Sequence, residues 1–313
     1  MKTKLTERKL KCAPGAARQL FTRIACLAAA ILICSSAWAQ NLFVSGSDAR
    51  GGEIFKFTWD GGQSIFASGL TDPWDVAFDR AGNLFVVDFD RGGLVGNTAI
   101  YKITPNGVRT TFASGLTYPC YLAVDRTGNV FVADYSHGVI YVYKPTGSRG
   151  TFASGLHHPV GMAFNSTGDL FVVDNTIGNI SQGRIYAYKP NGSRATFAVL
   201  EPSDRPADLA FNSMGNLLMA DLGGNIYRYD LPGVPRPHPR TTFGSVPNSA
   251  QSLASDAGGN LVVVDAGGVS SVSSPGPAIY KFTPLGVRSI FASGQALSES
   301  FACLAFQPIP CCE

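Results

Sequence analysis

A seven-residue phrase, GNLFVVD at residues 82–88, recurs along this chain and constrains its fold more than any other feature. Four edited copies end at Asp134, Asp174, Asp221 and Asp265, and a shortened copy starts at Asn41. Counted from the second residue of each full phrase, neighbouring copies are 40 to 47 residues apart. A period of this length indicates a repeat architecture, in which each repeat is one supersecondary unit stacked on its neighbours.

Each repeat contains four strand-length runs. In the copy that begins at Pro119, the runs CYLAV, VFVAD, VIYVYK and RGTFA are separated by the turn segments DRTGN, SHG and PTG. Asp125 and Gly128 occupy the first and last places that a type I turn favours. No helical period occurs after residue 39. The sequence therefore predicts four short antiparallel strands in every repeat.

Six such units predict an all-β fold, a six-bladed β-propeller with four-stranded blades. The first strand of each unit carries a small residue, which would suit the crowded axis: Ala77, Ala123, Ala163, Ala210, Ala254 and Ala305. The fourth strand carries an aromatic residue that we assign to the core between blades: Phe66, Phe112, Phe152, Phe197, Phe243 and Phe291.

The two ends of the repeat array are complementary. The array starts at a second strand, NLFVSG, and ends with an additional first strand, CLAF at residues 303–306. We expect these two strands to pair and complete one blade, which closes the ring and leaves no exposed sheet edge. The five aspartates that end the second strands are predicted to be structural, because a carboxylate at a strand end can accept hydrogen bonds from loop N–H groups.

The first 39 residues have the features of a secretory signal peptide. Seven basic residues precede or flank an apolar run from Ile24 to Ile33, and Ala37 and Ala39 fit a cleavage site before Gln40. An uncleaved membrane anchor is the alternative, although the run is shorter than the roughly 20 residues that span a bilayer. We therefore assign residues 1–39 to the leader, 40–308 to the propeller and 309–313 to a tail.

Removing the leader changes the charge balance. The remaining chain has 18 basic and 21 acidic residues, so its net charge is −3. No basic stripe remains for nucleic acid. We expect an exported, periplasmic or extracellular monomer without a membrane span after cleavage.

The repeat pattern, with Pro before the first strand, G-N-[LV]-[FV]-V-x-D in the second and Ile-Tyr in the third, resembles the NHL-repeat propellers. It is also similar to the regucalcin/gluconolactonase and streptogramin lyase families. This resemblance implies the fold and leaves the activity open. Gluconolactonases hold a divalent metal just after the first-strand Pro. The matching residues here include no Asp, Glu or Asn: Trp74, Cys120, Val160, Ala207, Gln251 and Ala302.

Propeller topology divides the loops between two faces. We call top the face that carries the loops from fourth to first strands and from second to third strands, and bottom the opposite face. Top loops vary in length and composition, as recognition loops do. One position further along than the metal position, the ring at the channel mouth reads Asp75, Tyr121, Gly161, Asp208, Ser252 and Cys303.

Asp75, Tyr121, Asp208 and Ser252 are our candidate ligand-binding residues. Asp75 and Asp208 lie three blades apart and would face each other across the axis, where a cation or a polar ligand could bridge them through water. The alternative is a pair of solvated channel carboxylates.

His137, His157 and His158 belong to one neighbourhood of the top face. Together with a carboxylate they could hold zinc or copper; the alternative is surface histidines without a ligand. A divalent cation, calcium or zinc, is thus the candidate cofactor.

The sequence is compatible with two functions. The first is a binding propeller that takes a protein, a glycan or a small molecule on its top face. The second is a propeller hydrolase or lyase, lactonase-like or streptogramin-lyase-like, that uses a metal at the channel mouth. The residues at the metal position favour the first.

Overall fold

The turn residues between the apolar runs divide the chain into short strands. The computed structural model describes residues 40–48, 51–89, 98–176, 182–230, 240–267, 276–293 and 301–309. These residues form 24 strands, arranged as six four-stranded antiparallel sheets. The structure is a six-bladed β-propeller, as the sequence predicts. The leader assigned to residues 1–39 lies outside the described residues, as do residues 310–313 of the tail.

The blades are numbered from the one that holds both chain ends. Blade 1 contains β24 (Phe301–Phe306), β1 (Leu42–Asp48), β2 (Gly51–Phe57) and β3 (Gln63–Leu70). Blade 2 contains β4 (Pro73–Phe78), β5 (Leu84–Asp88), β6 (Thr98–Ile103) and β7 (Arg109–Leu116). Blade 3 contains β8 (Pro119–Val124), β9 (Val130–Asp134), β10 (Val139–Tyr143) and β11 (Arg149–Ala153).

The remaining three blades follow the same order. Blade 4 contains β12 (His158–Phe164), β13 (Leu170–Asn175), β14 (Arg184–Tyr188) and β15 (Arg194–Val199). Blade 5 contains β16 (Pro206–Phe211), β17 (Leu217–Asp221), β18 (Asn225–Tyr229) and β19 (Arg240–Ser245). Blade 6 contains β20 (Ala250–Ser255), β21 (Leu261–Asp265), β22 (Ala278–Phe282) and β23 (Arg288–Ser293).

Blade 1 closes the ring with strands from both ends of the chain, which confirms the predicted closure. β24 pairs antiparallel with β1, with Leu42 opposite Phe306 and Val44 opposite Leu304. Beyond the strands, the backbone N–H of Gln307 donates to the carbonyl of Asn41 at 3.0 Å. The pairing satisfies backbone groups that would otherwise form an open sheet edge.

The second strand of each blade is the most apolar because it is covered on both faces. All five residues of β5, β9, β17 and β21 are buried. The third strands of blades 2 to 5 instead pair a buried Ile with a partly exposed Tyr. In blade 3, Tyr141 lies under the guanidinium of Arg149, 5.0 Å from its ring centroid. The repeated Ile-Tyr pair therefore marks one inward and one outward position of the strand.

The core lies between stacked blades, where the fourth-strand aromatics contact rings of the neighbouring strands. Phe131 lies 4.9 Å from Phe152 and 5.1 Å from Phe164 of the next blade, measured between ring centroids. The edge-to-face angles of 87° and 73° are those that aromatic pairs prefer. The prediction that these fourth-strand residues belong to the inter-blade core is confirmed at this junction.

The turns between first and second strands follow the predicted type. In blade 3 the carboxylate of Asp125 accepts from the backbone of Thr127 at 2.8 Å and of Asn129 at 2.9 Å. Gly128 completes the turn with φ of 82°, a conformation in which a Cβ would be strained. Within the described part of the chain, no helix is present that could cross a membrane.

Candidate functional site

The aspartates that end the second strands bind the loops of the top face. Asp174 Oδ1 accepts from the backbone N–H groups of His157 and His158 at 2.8 and 3.0 Å. Asp88 accepts in the same way from Thr71 and Asp72. Asp134, Asp221 and Asp265 also accept from loop backbone N–H groups. All five are buried. The prediction that these carboxylates are structural is confirmed, because their oxygens satisfy loop donors.

A cavity of about 450 Å³ runs along the propeller axis. The six first-strand alanines that the sequence analysis placed at the axis all line it, so the small side chains create this space. Asp75 and Asp208 also line the cavity, which extends along the first strands to the bottom turns at residues 79–80 and 125–126. The two carboxylates thus border a space that also reaches the bottom face.

Asp75 and Asp208 connect neighbouring blades through hydrogen bonds. Asp75 Oδ2 accepts from the backbone N–H of Leu122, in the next blade, at 2.7 Å. Asp208 Oδ2 accepts in the equivalent way from Leu253 at 3.1 Å, and also from the Ser252 hydroxyl at 2.8 Å. These bonds hold the first strands together around the axis.

Ser252 continues this pattern towards blade 1. Its Oγ accepts from the backbone N–H of Leu304 at 3.3 Å while donating to Asp208. At the same ring position in blade 4, Gly161 lies so close to blade 5 that a Cβ would meet Cα of Asp208 at 2.7 Å. The ring position is thus adapted to contact between adjacent blades.

Burial sets the protonation of the two carboxyls. It raises the pKa of Asp75 to about 8, with a further contribution from the charge of Asp208. Burial likewise raises the pKa of Asp208 to about 6, against the lowering effect of its bonds to Leu253 and Ser252. At neutral pH Asp75 is therefore mostly a neutral acid and Asp208 mostly a carboxylate.

Tyr121 and Cys303 complete the ring. Tyr121 packs against the core between blades 3 and 4 and against that between blades 4 and 5. Burial raises the pKa of both the Tyr121 phenol and the Cys303 thiol well above their usual ranges. The structure therefore brings the predicted ring residues together at the axis, mainly as buried groups that contact one another. Ligand binding by Asp75, Tyr121, Asp208 and Ser252 stays a prediction.

The three histidines of the predicted metal site have separate partners. His137 Nδ1 lies 3.1 Å from Asp134 Oδ2, and His157 Nδ1 lies 3.3 Å from Asp174 Oδ2. His158 Nδ1 instead lies 3.2 Å from the carbonyl oxygen of Asn175. Within the described ranges, no group of three or more His, Cys, Asp or Glu side chains is placed to hold a metal ion. Zinc, copper or calcium binding therefore stays a prediction without a ligand set that supports it.

Five aromatic rings form a continuous series on the top face. We call this series the aromatic arc: Trp74, Phe89, Tyr118, Tyr135 and His158. Successive centroids are 6.3, 4.9, 5.8 and 4.6 Å apart. All five residues are half-buried, so the rings contact each other and solvent. The arc spans blades 2, 3 and 4.

The repeat frame explains how the arc forms. Tyr118 precedes the first-strand Pro of blade 3, Tyr135 follows its second-strand Asp, and the backbone N–H of Tyr135 donates to the Tyr118 carbonyl at 3.0 Å. The same two positions in blades 5 and 6 hold no aromatic residue: Arg205, Leu222, Ser249 and Ala266. The sequence comparison missed the arc because it left out the residues just before the first-strand Pro and just after the second-strand Asp. Comparing these flanking positions between repeats would have shown the difference.

Comparison with known proteins supports the fold. No protein-family model and no curated sequence matches the chain. Solved structures do match it, among them a gluconolactonase from Xanthomonas campestris (20% identity, TM-score 0.57) that covers 72% of this chain and 82% of its own. Virginiamycin B lyase from Staphylococcus aureus matches with 12% identity and a TM-score of 0.54, over 83% and 85% of the two chains.

A protein of unknown function from Bacteroides caccae is also similar, with 16% identity and a TM-score of 0.59 over 86% of this chain and 99% of the other. The chain thus has a β-propeller fold similar to that of these gluconolactonase and lyase structures. At these identities the likeness establishes the fold alone.

Proposed function

We propose that this chain is a binding propeller that takes a glycan on the aromatic arc of its top face. The observation that carries the proposal is the series of five contacting, half-buried rings across three adjacent blades. Blades 5 and 6 have other residue types at the same repeat positions, so the rings are a local specialisation of the repeat.

The chemistry of the arc suits a sugar ring. Aromatic faces are apolar and electron-rich, and the C–H groups on one side of a pyranose can pack against them. Ligand sites combine such surfaces with a few polar groups that fix orientation. His157 offers such a polar group beside the arc. Its Nδ1 contacts Asp174, and the His157 side chain is 48% exposed, so its Nε2 is available to a sugar hydroxyl.

The test is a glycan array probed with the purified protein, followed by calorimetric titration of any glycan that binds. Trp74→Ala and Tyr118→Ala should each weaken binding at least about tenfold, which corresponds to the loss of one aromatic contact. Arg205→Ala is the matched control for Tyr118→Ala, because Arg205 holds the position of Tyr118 in a blade outside the arc and is exposed. The proposal is wrong if no glycan binds, or if the arc variants bind as tightly as the control.

A second candidate function, a hydrolase or lyase, has one observation in its favour. Asp75 lines the axial cavity and is mostly protonated at neutral pH, as a general acid must be. Turnover of a panel of lactones that Asp75→Asn abolishes, without loss of the folded state, would support this candidate. A complete lack of turnover with the native protein would remove it.

We also propose export, from the basic and apolar pattern of residues 1–39. N-terminal sequencing of the protein recovered from the periplasm or the medium of an expressing bacterium should start at Gln40. A chain that stays intact in the membrane fraction would instead support the anchor.

A further inference from the structure

A second cavity, of about 610 Å³, lies between blades 3 and 4 and reaches the bottom turns of both. Its apolar walls include Phe131 and Phe152 from blade 3 and Phe164 from blade 4. This volume falls within the range of small-molecule sites, roughly 300–1,000 Å³. It is separate from the aromatic arc, which lies on the top face.

The repeats show why space exists at this junction. Val142 is the cross-strand partner of Phe131 and lines the cavity. In four other blades the residue at this place is a long cation: Lys56, Lys102, Arg228 and Lys281. In blade 2, Lys102 Nζ lies 5.7 Å from the centroid of the Phe85 ring and so covers it. Val142 is too short to cover Phe131 in this way.

A second departure from the repeat lies directly beside Val142. Gly150 is the partner of Val142 on the fourth strand. The four blades with the long cation carry a hydroxyl side chain at that place: Ser64, Thr110, Thr241 and Ser289. A Cβ at Gly150 would meet only Val142 Cγ1, at 3.6 Å. An ordinary van der Waals contact would therefore accommodate a Cβ at Gly150, and its absence leaves Val142 uncovered on that side.

The rim of this cavity carries positive charge. Lys144 lines it, and in blade 4 the corresponding Lys189 pairs with Asp169 at 2.8 Å. In blade 3 the place of Asp169 is taken by Asn129, which is neutral. Arg126 is a second exposed cation on the rim. Among the described residues, no carboxylate forms an ion pair with Lys144 or Arg126.

One carboxylate also lies on the rim. Asp125 Oδ2 accepts from Asn129 Nδ2 at 2.6 Å, and its Oδ1 accepts from the backbone and hydroxyl of Thr127. These bonds lower the pKa of Asp125 and keep its oxygens within their own turn. Two cations against one internally bonded carboxylate leave the rim net positive.

We propose that this cavity binds a small organic anion with an aromatic or branched apolar body and one acidic head group. The body would lie against Phe131, Phe152 and Phe164, and the head group would lie at the rim beside Lys144 and Arg126. The walls supply apolar contact, and the cations supply charge-assisted hydrogen bonds to carboxylate, sulfonate or phosphate.

Two fluorescent probes with the same ring system test the proposal. The anion 8-anilinonaphthalene-1-sulfonate should bind the folded protein at one site. Its uncharged counterpart N-phenyl-1-naphthylamine should bind at least about tenfold more weakly. Equal affinity for both probes, or no binding of the sulfonate, would overturn the proposal.

Variants then locate the site. Val142→Lys introduces the residue type that four other blades carry and should reduce sulfonate binding at least about tenfold. Ala187→Lys introduces the same side chain at the equivalent position of blade 4, outside this cavity, and should leave binding unchanged. A thermal melt of each variant checks folding.

Lys144→Gln gives an independent measurement at an exposed position. It should weaken the sulfonate about tenfold and leave binding of the uncharged probe unchanged. If Val142→Lys and Ala187→Lys have equal effects, or if Lys144→Gln does not discriminate between the probes, the assigned cavity is wrong.

Discussion

At the residue scale, the aspartates that end the second strands combine deep burial with complete hydrogen bonding. Asp88 is 6% exposed and accepts from two consecutive loop N–H groups, those of Thr71 and Asp72. Backbone donors solvate the carboxylate in place of water. Such a residue ends five of the six second strands, because blades 2 to 6 each have a top-face loop whose N–H groups it binds.

Asp88→Ala should lower the free energy of unfolding by about 1–3 kcal/mol, because two loop donors lose their acceptor. Urea denaturation of the variant and the native protein measures this difference. Asp60→Ala, at an exposed turn position, is the control and should change stability by less than about 0.5 kcal/mol. Equal effects of the two substitutions would contradict the structural role of Asp88.

Asp75 should make stability depend on pH. The folded-state pKa of about 8 exceeds the ordinary value of a carboxyl in the unfolded chain, so the folded state binds the proton more tightly. Its contribution is present in full below the unfolded pKa, near 4, and is lost as the pH rises through about 8. Asp208 has a folded-state pKa of about 6, so its contribution to stability is lost at lower pH, as the pH rises through about 6.

Between pH 6 and pH 8 we therefore expect the melting temperature to fall by several degrees. Asp75→Asn should remove most of this fall, because an amide stays neutral throughout the range. Thermal melts of both proteins at the two pH values measure it, with Asp60→Asn as a control that should melt like the native protein. If the melting temperature of Asp75→Asn falls as much between the two pH values as that of the native protein, Asp75 is not the titrating group.

At the element scale, β24 has the largest structural consequence because it supplies the first strand of blade 1. In β24 the side chains of Cys303 and Leu304 are buried, and Leu304 packs in the core between blades 6 and 1. The strand also pairs along β1 and thereby satisfies that strand's backbone.

Deleting residues 301–313 should destabilise the protein severely. Each large buried side chain accounts for about 1.5–3 kcal/mol, and β1 would become an exposed edge. We expect aggregation or a melting temperature lowered by more than about 10 °C. Deleting only residues 310–313 is the control. A melting temperature unchanged by the longer deletion would contradict closure by β24.

The strands themselves follow from local sequence, but their irregularities do not. The repeats predict 24 strands and their turns, since alternation and turn residues are local signals. The register shift between Pro73 and Asp75 at the start of β4 has no such signal. It arises where Asp75 reaches across to Leu122, and that contact depends on the position of the neighbouring blade.

At the scale of the whole molecule, the closed ring brings the ends of the propeller together. Gln40 Nε2 donates to the carbonyl of Gln307 at 2.9 Å, and Asn41 Nδ2 donates to the Gln307 side-chain oxygen at the same distance. A linker of a few residues can therefore join residues 309 and 40 without strain.

A circular permutant with this linker, opened at the exposed Ser203 between blades 4 and 5, should fold to the same propeller. Chain ends that lie close together usually permit permutation. Circular dichroism and a thermal melt test this, and we expect a melting temperature within about 10 °C of the native value. A control opened between Val86 and Val87, in a buried second strand, should not fold. If the Ser203 permutant does not fold, the closed ring is contradicted.

The sequence by itself determined the number of blades, the four strands of each, the closure by the two ends and the structural role of the strand-end aspartates. These features repeat, and a comparison between copies is sufficient to find them. Only the tertiary structure decided where Asp75 and Asp208 lie, that His137, His157 and His158 bind different partners, and that five rings form one arc. Asp75 contacts Leu122 of the next blade, and the ring of Tyr135 contacts that of His158 in the next blade. The histidine partners lie within one loop or across one blade. All of these contacts depend on how loops and blades pack, which the pattern shared by the repeats does not specify.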